Sequence, residues 1–461
     1  MKRIVLILII LGFITRFAFL DMRCMDHDES VHAWIALKNV VENPSYRYDP
    51  AFHGPFVYFV ISLSFLAFGD SDFSARLPIA VFSILGIYFA LRFERWFGNS
   101  AFILALFMLF SPSILYYSRY ARDDVIVVSS FIAFLYFYFL YRENGRILNA
   151  LIATVFLAII FTAKENWVQY FAVFFLAVLI EKYRRKDFRI DRNILICAAL
   201  FLFISAFLYS SAFAYAIHGQ DWVKVMFSRD WIDRFVERSL PYWLSQGVSS
   251  PHEKPIYYFM NILLHYEFLP FALAIASITR KRFNFYEVFA ILWLFFAFLF
   301  YHAMVYKTSW LVVHLATPLA FFAMVFVRNE FFERKETKIA FAFGFVATII
   351  ISIHVSYFDY NNVVDQPLIY VQTQNGAVEM AERIKELLAK GHKVAVFAVD
   401  GHYWPLPWML REKNVVFTTQ CPQDYDYVFA VHRDYGCLKS YEIVGNYELR
   451  KYWEFYEMRK I

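Results

Sequence analysis

The stretch His53-Gly54-Pro55-Phe56-Val57-Tyr58-Phe59-Val60-Ile61-Ser62-Leu63-Ser64-Phe65-Leu66-Ala67-Phe68-Gly69-Asp70 decides how this chain is threaded. Its apolar part, Pro55 to Phe68, is short for a bilayer crossing, begins at a Gly-Pro step and stops at Gly69-Asp70. A Gly-Pro step fixes a rigid turn before whatever helix follows. If the stretch spans the membrane, every later loop inverts. If it lies in the interface, the basic loops Arg92/Arg95, Arg142/Arg146, Lys182 to Arg192, Arg280 to Arg282 and Arg328 to Lys338 all fall on the cytoplasmic side, where basic loops concentrate. That threading predicts an interfacial helix over 55–68 within a first outer loop, 21–75. It puts Asp26 to Glu29, Arg119 to Asp124, Lys164/Glu165, the outer loop 217–255, Lys307 and the C-terminal tail on one outer face.

Composition sets the class in which this threading applies. Of 461 residues, 60% are hydrophobic and 21% aromatic, including 55 Phe and 32 Tyr, which is beyond the apolar share of a soluble domain. The chain reads as a multi-pass α-helical protein of the cell membrane. Its net charge of +5 comes from short basic clusters between apolar runs, a pattern that sets topology and implies no nucleic acid partner. Lys2 and Arg3 precede an apolar run from Ile4 to Leu20 with no small-residue cleavage site after it. This predicts a retained signal anchor with a cytoplasmic N-terminus. Further apolar stretches run near 76–91, 100–117, 125–141, 147–163, 168–180, 193–216, 256–278, 287–303, 309–327 and 338–356. With the first segment they predict about eleven transmembrane helices, all within residues 1–356.

The tail, 357–461, is mixed in composition. Ala377 to Lys390 has helical periodicity, and Lys393 to Val399, Asn414 to Thr419 and Tyr427 to His432 read as strands. A small outward-facing α/β domain is expected there. No glycine-rich phosphate loop of dinucleotide type is present, which argues against an NAD or ATP site. The four cysteines, Cys24, Cys197, Cys421 and Cys437, lack metal-type spacing. Cys421 and Cys437 either pair, if their segment lies outside the cell, or stay free thiols.

Several outer-face features could carry chemistry, and each also has a plain structural reading. Asp26-His27-Asp28-Glu29 follows the first apolar segment. An Asp-x-Asp pair can ligate Mg or Mn, and a carboxylate against an apolar wall can serve as a general base. Such acids can also merely stop a helix. His53-Gly54-Pro55 can be a turn, and Asp123 and Asp124 suit the N-terminus of a helix, whose dipole stabilises negative charge. Capping does not explain Arg119 and Arg122, which on the outer face invite an anion such as a lipid phosphate. Lys164-Glu165-Asn166, Glu267 beside His265, and Lys307 with His314 place further ionisable groups near outer helix ends. Such groups either serve a site or pair with one another.

The order of these pieces resembles the polytopic GT-C glycosyltransferases, specifically the protein O-mannosyltransferase and aminoarabinose transferase superfamily. Within it the likeness is to the archaeal flippase activity-associated proteins. The residues that carry it are Asp28-Glu29 with Val31-His32-Ala33-Trp34, Tyr48-Asp49-Pro50-Ala51-Phe52-His53-Gly54-Pro55, and Phe68-Gly69-Asp70-Ser71-Asp72 with Arg76-Leu77-Pro78. They continue with Ser111-Pro112, Tyr117 to Asp124, Lys164-Glu165-Asn166, Lys307-Thr308-Ser309-Trp310-Leu311 and Tyr403-Trp404-Pro405-Leu406-Pro407-Trp408. His53-Gly54-Pro55 stands where the mannosyltransferases carry His-Pro-Pro, and Ser309 where the archaeal family usually has Pro.

The resemblance implies a GT-C fold and transfer of a sugar from a polyprenyl-phosphate (dolichyl-phosphate type) donor to an acceptor protein or glycolipid on the outer face. It implies that Asp28 and Glu29 are catalytic, with Asp124 as the second acidic position and Asp123 in a variable place. On chemical grounds Asp28 would be the base, while Arg119, Arg122 and Lys307, with His53, would hold phosphate. Asp123, Lys164, Glu165, Glu267, His265 and His314 would support the site. Asp26 and Asp28 are candidate ligands for a divalent metal (Mg, Mn or Zn), although the scheme does not require one. A lipid-linked oligosaccharide flippase or transporter, and a non-catalytic subunit of a glycosylation machinery, are the competing readings. The lack of visible repeat halves argues mildly against a transporter.

Overall fold

The computed structural model describes residues 2–49, 53–187, 191–239, 241, 242, 244, 245, 250, 252–276, 284–327, 333–431 and 436–461. Pro50 to Phe52, Arg280 to Arg282, Arg328, His432 and parts of the loops 182–192 and 217–255 lie outside the described residues.

The apolar stretches anticipated from sequence are helical over most of their described residues. The first is α1 (Lys2–Phe17), and the loop after it carries α2 (His27–Trp34) and α3 (Phe56–Phe68). At 13 residues, α3 is about 20 Å long, short of a hydrocarbon core of about 30 Å. Then come α4 (Asp72–Arg92), α5 (Ala101–Phe110), α6 (Pro112–Tyr117), α7 (Asp124–Asn144), α8 (Ile147–Ala163), α9 (Trp167–Arg185) and α10 (Ile194–Tyr209). After the loop of the 210s to 250s follow α11 (Tyr258–Tyr266), α12 (Phe268–Ala276), α13 (Phe285–Ala303), α14 (Val313–Phe326) and α15 (Lys335–Ile353). Among the described residues, five helical segments are long and apolar enough to cross a membrane, or six if α11 and α12, bent by 94°, count as one broken span. One of the five, Asp72–Phe110, contains a turn at Gly98, whose φ is +57°, and α4 packs back on α5.

The segment leading into α14, together with α14 itself, is wholly buried at the centre of the bundle, whereas α15 turns most of its apolar surface outward, with Phe343 75% exposed. A helix that is apolar all round and buried suits the former position, and a lipid-facing one the latter. Arg16, near the end of α1, is buried. Its guanidinium donates to Ser83 Oγ (3.1 Å) and to the carbonyls of Met108 and Leu109 (both 2.7 Å) at the C-terminal end of α5. In a bundle interior those last-turn carbonyls would otherwise lack donors.

The C-terminal part contains α16 (Asn375–Ala389) and a five-stranded sheet, β1 (Val394–Phe397), β2 (Val416–Thr418), β3 (Tyr427–Ala430), β4 (Tyr441–Arg450) and β5 (Trp453–Lys460), in the order β2-β1-β3-β5-β4. β1 pairs in parallel with β2 and β3, and β5 runs antiparallel to both β3 and β4. α16 covers one face over a core of Ala377, Met380, Ile384, Val396 and Phe429. The three anticipated strands are present, and the β4–β5 hairpin is an addition. Cys421 and Cys437 form a disulfide. The unit is latched to the membrane part: Arg411 holds Asp70 (Nε to Oδ2, 2.6 Å), Trp408 Nε1 donates to Asp72 Oδ1 (2.8 Å), and the Trp408 ring stacks on Phe65.

Candidate active site

The first loop separates its acids by helix geometry. Asp26 caps α2: its Oδ1 accepts the Glu29 N–H (2.8 Å), and Glu29 Oε2 accepts the Asp26 N–H (3.3 Å). This reciprocal capping box commits Asp26 to the helix end. Burial, followed by repulsion from Asp28 and Glu29, holds its carboxyl well above the usual carboxylate range. Among the described residues no group of three or more His, Cys, Asp or Glu side chains could hold a metal ion. The expected Asp26/Asp28 metal pair therefore gains no third ligand of this kind among the described residues.

Glu29 is equally committed. Fully buried, it receives Arg76 Nε (2.7 Å) and Nη2 (2.9 Å), Arg23 Nη2 (3.4 Å) and the backbone N–H of Ala121 (2.8 Å). It ties α2 to α4 and to the loop before α7. It does not share the space of Asp28, so the expected catalytic pair divides into an outward carboxylate and a structural one. Arg119 is also diverted. Its guanidinium donates to the carbonyls of Ala18 (2.7 Å), Phe19 (2.6 Å) and Arg16 (3.2 Å) and lies 4.3 Å from the Tyr357 ring. It closes the end of α1 and is not available for a phosphate.

Asp28, 34% exposed, is gripped by the buried guanidinium of Arg122. Burial alone would raise the Asp28 carboxyl, but Arg122, with His27, His32 and His53 around it, holds it well below the usual carboxylate range. Arg122 lies 3.9 Å over the Trp310 ring, directs Nε toward Asp124 Oδ2 (3.5 Å) and donates from Nη2 to His53 Nε2 (3.2 Å). His53 in turn meets Glu165 through Nδ1 (3.3 Å), with Asp123 at 3.8 Å. An arginine can only donate, so His53 accepts at Nε2 and carries its proton on Nδ1. Gly54 makes this approach possible: its N–H donates to Ala163 O (3.1 Å), and a Cβ there would sit 2.1 Å from the Thr162 carbonyl oxygen.

Behind Arg122 lies a buried relay. Lys164 Nζ donates to Asp123 Oδ1 (3.0 Å) and Asp124 Oδ1 (2.7 Å). His314 Nε2 lies 3.0 Å from the same Asp124 oxygen, and its Nδ1 is 2.6 Å from the Tyr170 hydroxyl. A proton on Nε2 and an acceptor at Nδ1 satisfy these two contacts, and Asn166 Nδ2 then has Tyr301 Oη as its acceptor. Asn166 Nδ2 lies 2.9 Å from both Tyr301 Oη and His314 Nε2. α7, α8, α9 and α14 thus meet at Asp124, which fixes Arg122, which fixes Asp28.

Lys307 is buried, donates to the Met304 carbonyl and makes no ion pair among the described residues. Burial lowers its ammonium pKa. Its own N–H donates to His252 O (3.1 Å), pinning the 250s loop beside it. His265 and Glu267 stand apart from this group. His265 is exposed and bonds the Asn261 carbonyl (2.8 Å), while Glu267 accepts from Ser111 Oγ (2.6 Å) and the Ser113 N–H (3.1 Å), capping α6 at the kink between α11 and α12. Neither supports the site as anticipated. The reading from sequence gave no role to Arg23, Arg76, Trp310, Asn166, Tyr170 or Tyr301. For Arg76, an arginine within an apolar helix was itself the available signal.

This arrangement, a semi-exposed carboxylate under a buried arginine at the loops of a helical bundle with a C-terminal α/β unit, can be set against known proteins. The crystal structure of ArnT from Cupriavidus metallidurans bound to undecaprenyl phosphate superposes with a TM-score of 0.66 at 15% identity, covering 99% of this chain and 98% of that one. The same protein in the apo state gives 0.67 at 15% identity over the same shares. The chain shares the fold of that protein along almost its whole length. A family model described as dolichyl-phosphate-mannose-protein mannosyltransferase matches residues 52–210. That range holds His53, Arg122, Asp124 and Lys164 but not Asp28. No curated protein matches the sequence.

Proposed function

We propose that the protein is a membrane glycosyltransferase that moves a sugar from a polyprenyl-phosphate carrier to an acceptor on the outer face. The observation that carries this reading is Asp28, a carboxylate left one-third open and held by a buried arginine, on a fold shared with a structure that holds undecaprenyl phosphate. In the step we assign, Asp28 takes the proton of an acceptor hydroxyl as its oxygen bonds to the sugar's anomeric carbon. The bond from that carbon to the phosphate oxygen breaks, and polyprenyl phosphate leaves with the electron pair. Asp28 paired with Arg122 is a weak base. A donor phosphate that draws Arg122 to itself would free Asp28 and strengthen it, while Lys307, with two N–H groups that meet no acceptor among the described residues, takes a further phosphate oxygen.

The reading extends to topology. Residues 1–356 form the membrane part, with about eleven crossings and a cytoplasmic N-terminus, and residues 357–461 lie outside the cytoplasm. The Cys421–Cys437 disulfide supports that side, since disulfides persist in oxidising compartments. Membrane vesicles supplied with a polyprenyl-phospho-sugar test the activity: Asp28→Asn should abolish transfer with expression intact. Wild-type turnover by that variant would leave a lipid carrier or a non-catalytic subunit as the better description.

A further inference from the structure

Where the C-terminal unit meets the first outer loop, it brings side chains to the flank of Asp28 that the mechanism above does not use. Arg450, the last residue of β4, donates from Nη2 to His27 Nδ1 (3.0 Å) and to the Trp404 carbonyl (2.6 Å). Its Nε is buried and has no hydrogen-bond partner among the described residues. His27 is the immediate neighbour of Asp28, and its ring lies 6.1 Å from that of His402 and 6.4 Å from that of Trp404. Trp404 meets Trp34 edge-on at 5.8 Å, and His402 meets Trp453 at 5.8 Å. His402 is exposed, and the three tryptophans are partly so.

An N–H without a partner beside aromatic faces is the equipment for a ligand that is polar at its rim and apolar on its flat side. Burial lowers the Arg450 pKa, and the nearby carboxylates of Asp28 and Asp400, which act against that, would repel an anionic ligand. A sugar ring, with hydroxyls at its edge and C–H groups on its faces, matches what is offered. We propose that His27, Trp34, His402, Trp404, Arg450 and Trp453 form the acceptor subsite and that it takes a neutral sugar ring. The acceptor would then be a glycan or glycolipid rather than a bare peptide. The inference rests on the transferase reading and adds the acceptor's class to it.

Full-length protein in detergent, titrated with methyl α-glucopyranoside by saturation-transfer NMR and separately with undecaprenyl phosphate, tests it. Arg450→Gln and Trp404→Ala should weaken hexoside binding at least about tenfold, with undecaprenyl phosphate affinity unchanged. His402→Ala, at an exposed side chain, should weaken it as well and guards against a folding artefact. Hexoside binding that is absent from the wild type, or unaltered in all three variants, overturns the subsite, as does binding at this cluster of a Ser/Thr hexapeptide in place of the hexoside. Wild-type protein that binds the hexoside but not undecaprenyl phosphate overturns the transferase reading instead.

Discussion

Replacing Glu29 by Gln and Asp28 by Asn, one at a time, should separate two roles that adjacency in sequence had joined. Glu29 is fully buried and compensates Arg76 through two contacts, at 2.7 and 2.9 Å, and Arg23 through one at 3.4 Å. Glutamine keeps one acceptor oxygen but leaves two buried guanidiniums without a counter-charge, and breaking a buried pair in this way costs about 3–5 kcal/mol. Asp28 is 34% exposed, and its partner Arg122 keeps Asp124 at 3.5 Å. Solvent screening limits the stability cost of Asp28→Asn to about 1 kcal/mol or less. Thermal unfolding of the purified protein in one detergent, run beside a transfer assay in vesicles, gives both readouts. Glu29→Gln should unfold at clearly lower temperature, with residual activity following the folded fraction. Asp28→Asn should unfold near the wild-type midpoint and be inactive. A Glu29→Gln protein as stable as wild type yet devoid of activity would refute the division.

Gly54→Ala must push a methyl group to 2.1 Å from the Thr162 carbonyl; it should lower both the unfolding midpoint and the transfer rate, since His53 moves with the turn. Arg119→Gln, which strips the donors from the end of α1, should cost about 1–3 kcal/mol of stability and leave the KM for lipid donor unaltered; a raised KM would return Arg119 to the phosphate site. The acid limb of kcat/KM, which reports the free enzyme, should lie below the usual aspartate value of about 3.9, because Arg122 depresses Asp28 and the active, deprotonated form is lost only as pH falls through that lowered value. If donor phosphate then takes Arg122, the acid limb of kcat lies at higher pH than that of kcat/KM, and coincident limbs would count against the exchange. Cys421→Ser with Cys437→Ser opens a loop of sequence separation 16 and should cost about 3 kcal/mol, read as earlier protease cleavage of the C-terminal unit.

Apolar runs and basic loops made the bundle legible, because a membrane helix has to be apolar along its length whatever it packs against. The interfacial reading of Pro55 to Phe68 rested on its short length and on charge parity, and the helix there has 13 residues. The site was less readable. Adjacent helical residues project about 100° apart, so Asp28 and Glu29 look alike in a string but face an open loop and a buried arginine pair respectively. Arg119 misled for a related reason: its partners are backbone carbonyls, which carry no signature in sequence. The β4–β5 hairpin was hidden because its turn places Tyr452 at φ +66°, where Asn or Gly is the usual cue. Glu267 was noticed as an intramembrane acid, but its partner Ser111 is 156 positions away, a pairing that only the fold supplies.

The latch of Arg411 and Trp408 onto Asp70 and Asp72 bears on how such chains can diversify. It joins the C-terminal unit to the start of α4 through residues other than those that meet His27 and Trp34. Recombination that exchanged the unit while keeping these four residues would keep this latch, and would replace the Arg450 and Trp404 contacts with His27 and Trp34, presenting a new surface beside Asp28. In that sense the molecule is divided at a natural seam, with one half free to vary while the other is held constant.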